Sequence, residues 1–306
     1  MTTRPPAVAG SFYPADPVGL AATVDALLSR ARHLGDRPID AHDGDAHRML
    51  DEHARDDRLD DYVPRPRVVP SSVAPPKALI SPHAGYVFSG STAALGFAAL
   101  DPGERPITRV VVACPTHRVG VRGIALPDAD AFVTPLGTIP VDRETTSRIA
   151  TLPQVVVRPD VHAQEHAIEV QLPFLQRVLD EFSLVPLAVG DVPPEVAAAA
   201  LDACWGGPET LVIVSSDLSH YHPYEQARSL DQDTVARILR VEGPVGDQRA
   251  CGVRALNGLL AAAPGHRLRP TLLGMCNSGD TRGDRSGVVG YASIAWHEGA
   301  RREDVA

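Results

Sequence analysis

The run Leu211-Val-Ile-Val-Ser-Ser-Asp-Leu-Ser-His-Tyr-His222 passes without a break from β-branched, apolar residues to hydroxyl, carboxylate and imidazole side chains. Continuous apolar residues with no polar alternation predict a strand covered on both faces, as in a parallel sheet. Such sheets bind ligands beyond the carboxyl ends of their strands. Asp217 and His220 stand just past this end. Ser215 and Asp217 equally fit a helix cap following the strand, so the meaning of this polar end rests on the rest of the chain.

The chain has 306 residues, enough for a large core as one big α/β domain or two smaller ones. A formal charge of −9 and a single lysine, Lys77, argue against a binder of phosphate backbones, which needs clustered Lys and Arg; no nucleic-acid partner is expected. No apolar stretch approaches the length needed to span a bilayer, and Met1 to Gly10 lacks a charged start followed by an apolar core. The expectation is a cytoplasmic protein with no membrane partner. Cys114, Cys204, Cys251 and Cys276 are too far apart for a paired-cysteine zinc module and too few for a disulfide scaffold, and at least two of them read as small buried apolar residues.

Ala7 to Ala15 is turn-rich with two aromatics. From Asp16 to about Ala31 the spacing of Leu20, Val24, Leu27 and Leu28 predicts a helix, capped by Asp16 with Pro17 at its first position. Residues 33–76 change composition to aspartate, arginine, histidine and proline and read as a solvated insertion; His33, His42, His47 and His53 lie there without an apolar frame. Lys77 to Tyr86 predicts a short strand running into His83, followed by a helix from Ser89 to Leu100. Arg109 to Arg118 repeats the pattern, three valines preceding Cys114, Pro115 and His117. Further strands are expected at Gly123–Leu126, Phe182–Val189, Thr271–Met275 and Val288–Trp296, a hairpin-bearing excursion at Asp130–Pro140, and helices at Pro194–Cys204 and Tyr224–Leu239. His162 to Leu175 has helical periodicity interrupted by Pro173, which would set His166 and Glu169, three apart, on one face. Cys251 sits at the amino end of a further predicted helix, a position that lowers a thiol pKa.

Three apolar strands, at about 78–81, 109–114 and 211–215, thus each end in a loop carrying His83, His117 or His220. If the strands are parallel neighbours, the imidazoles converge on one sheet edge. Neutral imidazoles there are ligands for iron, copper or zinc, with Asp217 or Cys251 as an anionic partner. Other chemistries fit less of the chain. Ser215 or Ser216 with His220 and Asp217 has the residue types of a hydrolase triad without a Gly-x-Ser-x-Gly elbow. Cys251 with His83 or His117 has those of a thiol nucleophile without a separate orienting group. Each histidine can also be read as an independent core or capping residue.

Gly10-Ser-Phe-Tyr-Pro14, Ser81-Pro-His-Ala-Gly-Tyr86, Cys114-Pro-Thr-His117, Glu165-His-Ala-Ile-Glu-Val-Gln-Leu-Pro173, Ser215-Ser-Asp-Leu-Ser-His220 and Ala250-Cys-Gly252 resemble, in that order, the Memo family. The resemblance covers nearly the whole chain outside about residues 33–76. It implies one α/β domain over 1–306, with a mixed, largely parallel central sheet flanked by helices, similar to class III extradiol dioxygenases. It also implies a metal site on His83, His117 and His220 with Asp217 and Cys251 nearby. Relatives are described as copper- or iron-binding redox proteins, as phosphotyrosine-peptide-binding proteins, and, in prokaryotes, as protein B of the AmmeMemoRadiSam system beside AMMECR-like and radical-SAM proteins. Phe12 stands where many relatives carry Trp.

The first expectation is therefore a mononuclear centre holding a transition metal, iron or copper ahead of zinc, and supporting redox or dioxygenase-like chemistry on a small molecule or peptide. Its ligands are His83, His117 and His220, with Asp217 and Cys251. His166 and Glu169 are candidates for orientation or proton transfer, and Cys251 for a redox partner. The second is a non-catalytic binding module that uses the same pocket for a peptide or small anion.

Overall fold

A computed structural model describes residues 1–35, 75–100 and 107–299. The strands, in chain order, are β1 (Thr3–Arg4), β2 (Ala78–Ser81), β3 (Arg109–Cys114), β4 (Ile124–Leu126), β5 (Ala131–Thr134), β6 (Gly137–Pro140), β7 (Val155–Val157), β8 (Ser183–Val189), β9 (Thr210–Ser215), β10 (His220–His222), β11 (Leu268–Asn277) and β12 (Val288–Glu298). The helices are α1 (Pro17–Gly35), α2 (Tyr86–Ala98), α3 (Arg143–Ile149), α4 (Pro159–Ala163), α5 (Leu172–Val178), α6 (Pro194–Cys204), α7 (Tyr224–Leu239), α8 (Val253–Ala262) and α9 (Ser278–Thr281).

The large sheet runs β10-β12-β2-β9-β3-β8-β4-β7, with β11 also paired to β12. Its centre, β2-β9-β3-β8, is parallel, while β10, β11 and β12 join antiparallel. Alternate residues of the central strands point to opposite faces. On one face Ile80, Val111, Val212 and Val214 pack with Leu201 of α6 and Leu256 and Leu259 of α8. On the other, Leu79, Val110, Val112 and Ile213 pack with Leu20 and Val24 of α1, Phe97 of α2 and Phe174 of α5. Both faces are dry, which is why these strands read as unbroken apolar runs. Each fully buried Leu, Ile or Phe contributes about 1.5–3 kcal/mol. The result is the mixed α/β architecture expected from the sequence, in agreement with a dioxygenase-like fold.

Two local expectations change. α1 starts at Pro17, with Asp16 accepting from the amides of Val18 and Gly19, but it continues through Gly35, so the break at His33 falls inside the helix. The rest of the proposed insertion, with His42, His47 and His53, lies outside the described residues apart from its last two positions. The segment His162–Leu175 is not one interrupted helix. α4 ends at Ala163, a 3₁₀ turn covers Glu169–Gln171, and α5 begins at Leu172 with Pro173 in its first turn. Proline there opens a helix instead of interrupting one, because the missing amide has no partner to lose. His166 and Glu169 accordingly share no helical face.

Candidate metal centre

β9 lies between β2 and β3, and all three are parallel, with Ser81 level with Ser215 and Ala113 level with Val214. Their carboxyl ends therefore release the loops carrying His83, His117 and Asp217 side by side. The fourth contribution comes from across this edge, where the chain between α4 and the 3₁₀ turn delivers Glu165 and His166. The candidate ligand atoms of His83, His117 and His166 all lie within 4.8 Å of one another. Their ring centroids are 5.1 Å apart for His83 and His117, 5.4 Å for His83 and His166, and 4.7 Å for His117 and His166, the last pair stacked at 22°.

His83 is buried, and its backbone amide donates to Asp217 Oδ1 at 2.7 Å. Its Nδ1 is 2.9 Å from Ser215 Oγ. That hydroxyl donates to Ala167 O at 2.7 Å and accepts from Gln171 Nε2 at 2.8 Å, so what remains to it is an acceptor lone pair. Nδ1 of His83 must then carry the proton, and Nε2 keeps its lone pair. Burial, then the neighbouring His117, lowers the His83 pKa to about 3, and burial with the neighbouring His83 lowers that of His166 to about 4. Both rings are neutral at physiological pH, the form that binds metals.

Cys251 precedes Gly252, the residue before α8, and its Sγ sits 3.2 Å from His83 Nε2. The Asp217 amide donates to the same sulfur at 3.2 Å, and the Cys251 amide donates to Asp217 O. Only glycine fits next in the chain: a Cβ on Gly252 would meet Ser215 O and Ser216 Cβ at 2.7 Å each. The expectation of a lowered thiol pKa is overturned. Burial, with Asp217 alongside, pushes the thiol well up, because desolvation at this depth outweighs a helix end that begins only at Val253. Burial likewise pushes the Asp217 carboxyl up, against the His83 amide and the surrounding imidazoles.

His220 does not join the tight imidazole set. Its Nδ1 is turned to Leu218 O at 2.9 Å, and the strand it opens pairs with β12 through Val289. Leu218 and Ser219 are held against Gly290 by backbone hydrogen bonds, and the Ser219 amide donates to the buried Asp231. His220 nevertheless stands close enough to act electrostatically on both His83 and Asp217. Tyr221, at φ 60 and largely exposed, turns the chain between His220 and His222.

Glu169 is buried elsewhere. Its carboxylate pairs with Arg4, accepts from Tyr13 Oη, and takes the amides of Ala7 at 2.7 Å and Val8 at 3.0 Å. With every site on it occupied by the amino-terminal segment, it has no contact with the imidazoles to orient them. The orienting contacts belong to Glu165, Ser215 and Gln171. Of these, Glu165 and Gln171 had no role in the sequence reading, although both stand in the motif that contains His166. Glu165 accepts from the His117 amide at 2.7 Å and lies 2.9 Å from His117 Nδ1. Burial acts to raise its pKa, but the His117 ring and the amides of His117 and Ala167 hold it down to about 2. Phe12 packs on His166 with ring centroids 4.8 Å apart, closing that side of the cluster, whereas the His117 side chain is 27% exposed and marks the way in. Gly10, at φ 83, makes the turn that brings Phe12 there.

These features occur along a chain with clear relatives. A family model described as Memo-like protein matches residues 4–295. A MEMO1 family protein of Methanopyrus kandleri is 34% identical over 97% of this chain and 99% of its own length. One from Aquifex aeolicus is 31% identical over 96% of this chain and 99% of its own, and one from Sulfolobus acidocaldarius is 30% identical over 95% and 98%. No helix among the described residues is long and apolar enough to cross a membrane. Matched by the family model and by these relatives over almost its whole length, the chain belongs to the Memo family.

Proposed function

We propose that the chain holds one transition-metal ion, iron or copper ahead of zinc, between His83, His117 and His166, and that the loaded centre supports redox or dioxygenase-like chemistry on a small substrate. The observation that carries this reading is the convergence of three imidazoles to within 4.8 Å, two from the ends of parallel strands and His166 from the loop that faces them. The donor set fits such an ion: His83 and His166 are neutral, and His83 keeps an unprotonated Nε2 that faces the Cys251 sulfur. Imidazole suits iron, copper and zinc alike, and the sulfur of Cys251 beside His83 adds a soft donor that favours copper or zinc. When bound, a redox-active ion supplies one-electron or dioxygen chemistry that no side chain here can perform alone.

The protein's own groups bind, orient and exclude. Ser215 and Asp217 fix the ring and the backbone of His83. Phe12 shields His166 from water. His220, with Nδ1 committed to Leu218 O, has Nε2 left for a hydrogen bond beside the centre.

The reading is tested by reconstituting wild type and a His83→Ala/His117→Ala variant anaerobically with Fe(II), Cu(I) and Zn(II), desalting, and measuring retained metal. Wild type is expected to keep stoichiometric ion and the variant to lose it. Equally negligible metal in both proteins overturns the proposal.

A further inference from the structure

Glu165 touches two of the three clustered imidazoles. It is buried, and both of its oxygens are occupied by donors: Oε2 accepts from the His117 amide at 2.7 Å, and Oε1 accepts from the Ala167 amide at 2.9 Å. Between two backbone N–H groups an ionised carboxylate can only accept, so the contact of 2.9 Å between Oε1 and His117 Nδ1 is a hydrogen bond donated by the ring. That fixes His117 as the Nδ1–H tautomer and leaves the lone pair on Nε2. The His166 ring stacks on that of His117 at 22° and brings its own Nδ1 to 3.5 Å from the same Oε1. This Nδ1 is buried and has no hydrogen-bond partner among the described residues. The longer distance is what a third donor meets at an oxygen that already accepts two. Arg4 holds the loop in place, donating from its guanidinium to His162 O at 3.2 Å and Glu165 O at 2.6 Å.

We infer that Glu165 is the positioning residue of the centre, a single carboxylate that sets the tautomer and orientation of His117 firmly and of His166 weakly. Resting on the metal reading above, it makes metal affinity depend on a residue that touches no metal. A carboxylate behind an imidazole ligand both fixes the ring and raises its basicity, and its loss costs about 10–100-fold in metal affinity. The replacement Glu165→Gln is informative because one of two acceptors becomes an N–H. Turned to His117 Nδ1 it drives the ring to the Nε2–H tautomer, and turned to the His117 amide it opposes that N–H and loosens the loop, so either orientation weakens the hold on the ring. Glu165→Asp keeps the acceptor with a shorter reach.

The experiment combines two readouts on wild type, E165Q and E165D. Imidazole nitrogen-15 NMR of metal-free protein reads the tautomer of His117, and Co(II) competition against a chelator reads affinity. Expected are an Nδ1–H His117 in wild type, a shift toward Nε2–H in E165Q with a loss of about 10–100-fold in Co(II) affinity, and partial recovery in E165D. His166 should change less than His117. An Nε2–H His117 in wild type overturns the inference, as does an E165Q protein with unchanged tautomer and affinity. Should E165Q fail to fold, the wild-type tautomer and E165D decide the matter. If wild type takes up no cobalt, the metal reading fails, while the tautomers in metal-free protein still decide the role of Glu165.

Discussion

Glu165 and Glu169 lie four residues apart in one segment, and their surroundings give them opposite work. Glu169 faces away from the imidazoles into a closed shell of Arg4, Tyr13 and the amides of Ala7 and Val8. Glu165 faces the cluster, with His117 on one side and His166 beyond it. The first carboxylate binds the amino-terminal segment to the body of the protein; the second holds the site. A buried acid is thus functional or structural according to what completes its hydrogen bonds, and residue type and spacing do not carry that information.

The sharpest way to break this contrast is Glu169→Ala. It leaves the Arg4 guanidinium buried without its carboxylate, and removing one partner of a buried pair costs about 3–5 kcal/mol. Urea unfolding should show a loss of that size, while metal uptake per folded molecule stays near wild type. A variant of undiminished stability that takes up less metal than wild type would reverse the roles assigned to the two acids.

A smaller effect is expected from Tyr13→Phe, which removes one hydroxyl donor from Glu169 and leaves the ring in place. Hydrogen bonds to charged groups contribute about 1.5–3 kcal/mol, so the unfolding midpoint should fall by less than in the alanine variant. A midpoint equal to that of wild type would mean that the Arg4 pair and the two amides hold Glu169 unaided.

The third prediction concerns acid and is the smallest near neutrality. His83 and His166 are depressed from 6.5 to about 3 and about 4 in the folded protein, mainly by burial. Below pH 6.5 the unfolded chain therefore takes up protons that the folded protein refuses, and stability falls until pH reaches the folded values. Glu165 adds to the loss at lower pH, because its folded value of about 2 lies below the ordinary 4.5, and the stability present above 4.5 disappears as pH falls toward 2. Urea midpoints of metal-free protein across this range should decline from about pH 6.5 downward. His166→Gln should decline less steeply, and an identical slope would remove His166 from the account.

Much of the fold was legible in the residues because its signals are local. The apolar runs at 78–81, 109–114 and 211–215 became β2, β3 and β9, and the helices Pro194–Cys204 and Tyr224–Leu239 have the limits expected of them. Asp16 and Pro17 mark the start of α1 through short-range hydrogen bonding, which sequence spacing reports faithfully. The segment around His166 departs from the helix its spacing predicts: apolar positions at 165–175 satisfy helical periodicity, while the chain turns at Gln164 and again through a 3₁₀ turn.

The residues alone predict apolar strands that end in histidine loops, since β-branched runs covered on both faces leave polar residues nowhere but at strand ends; that the strands are parallel neighbours comes from their pairing. Which imidazoles meet is set by packing between distant segments. His166 is brought to His83 and His117 by a loop held through Arg4, more than 150 residues earlier in the chain, and His220 is drawn aside by pairing with β12. Glu165 became the partner of His117 by the same packing. These are long-range contacts between loops, and neither periodicity nor spacing encodes a distance between residues that the chain separates and the fold brings together.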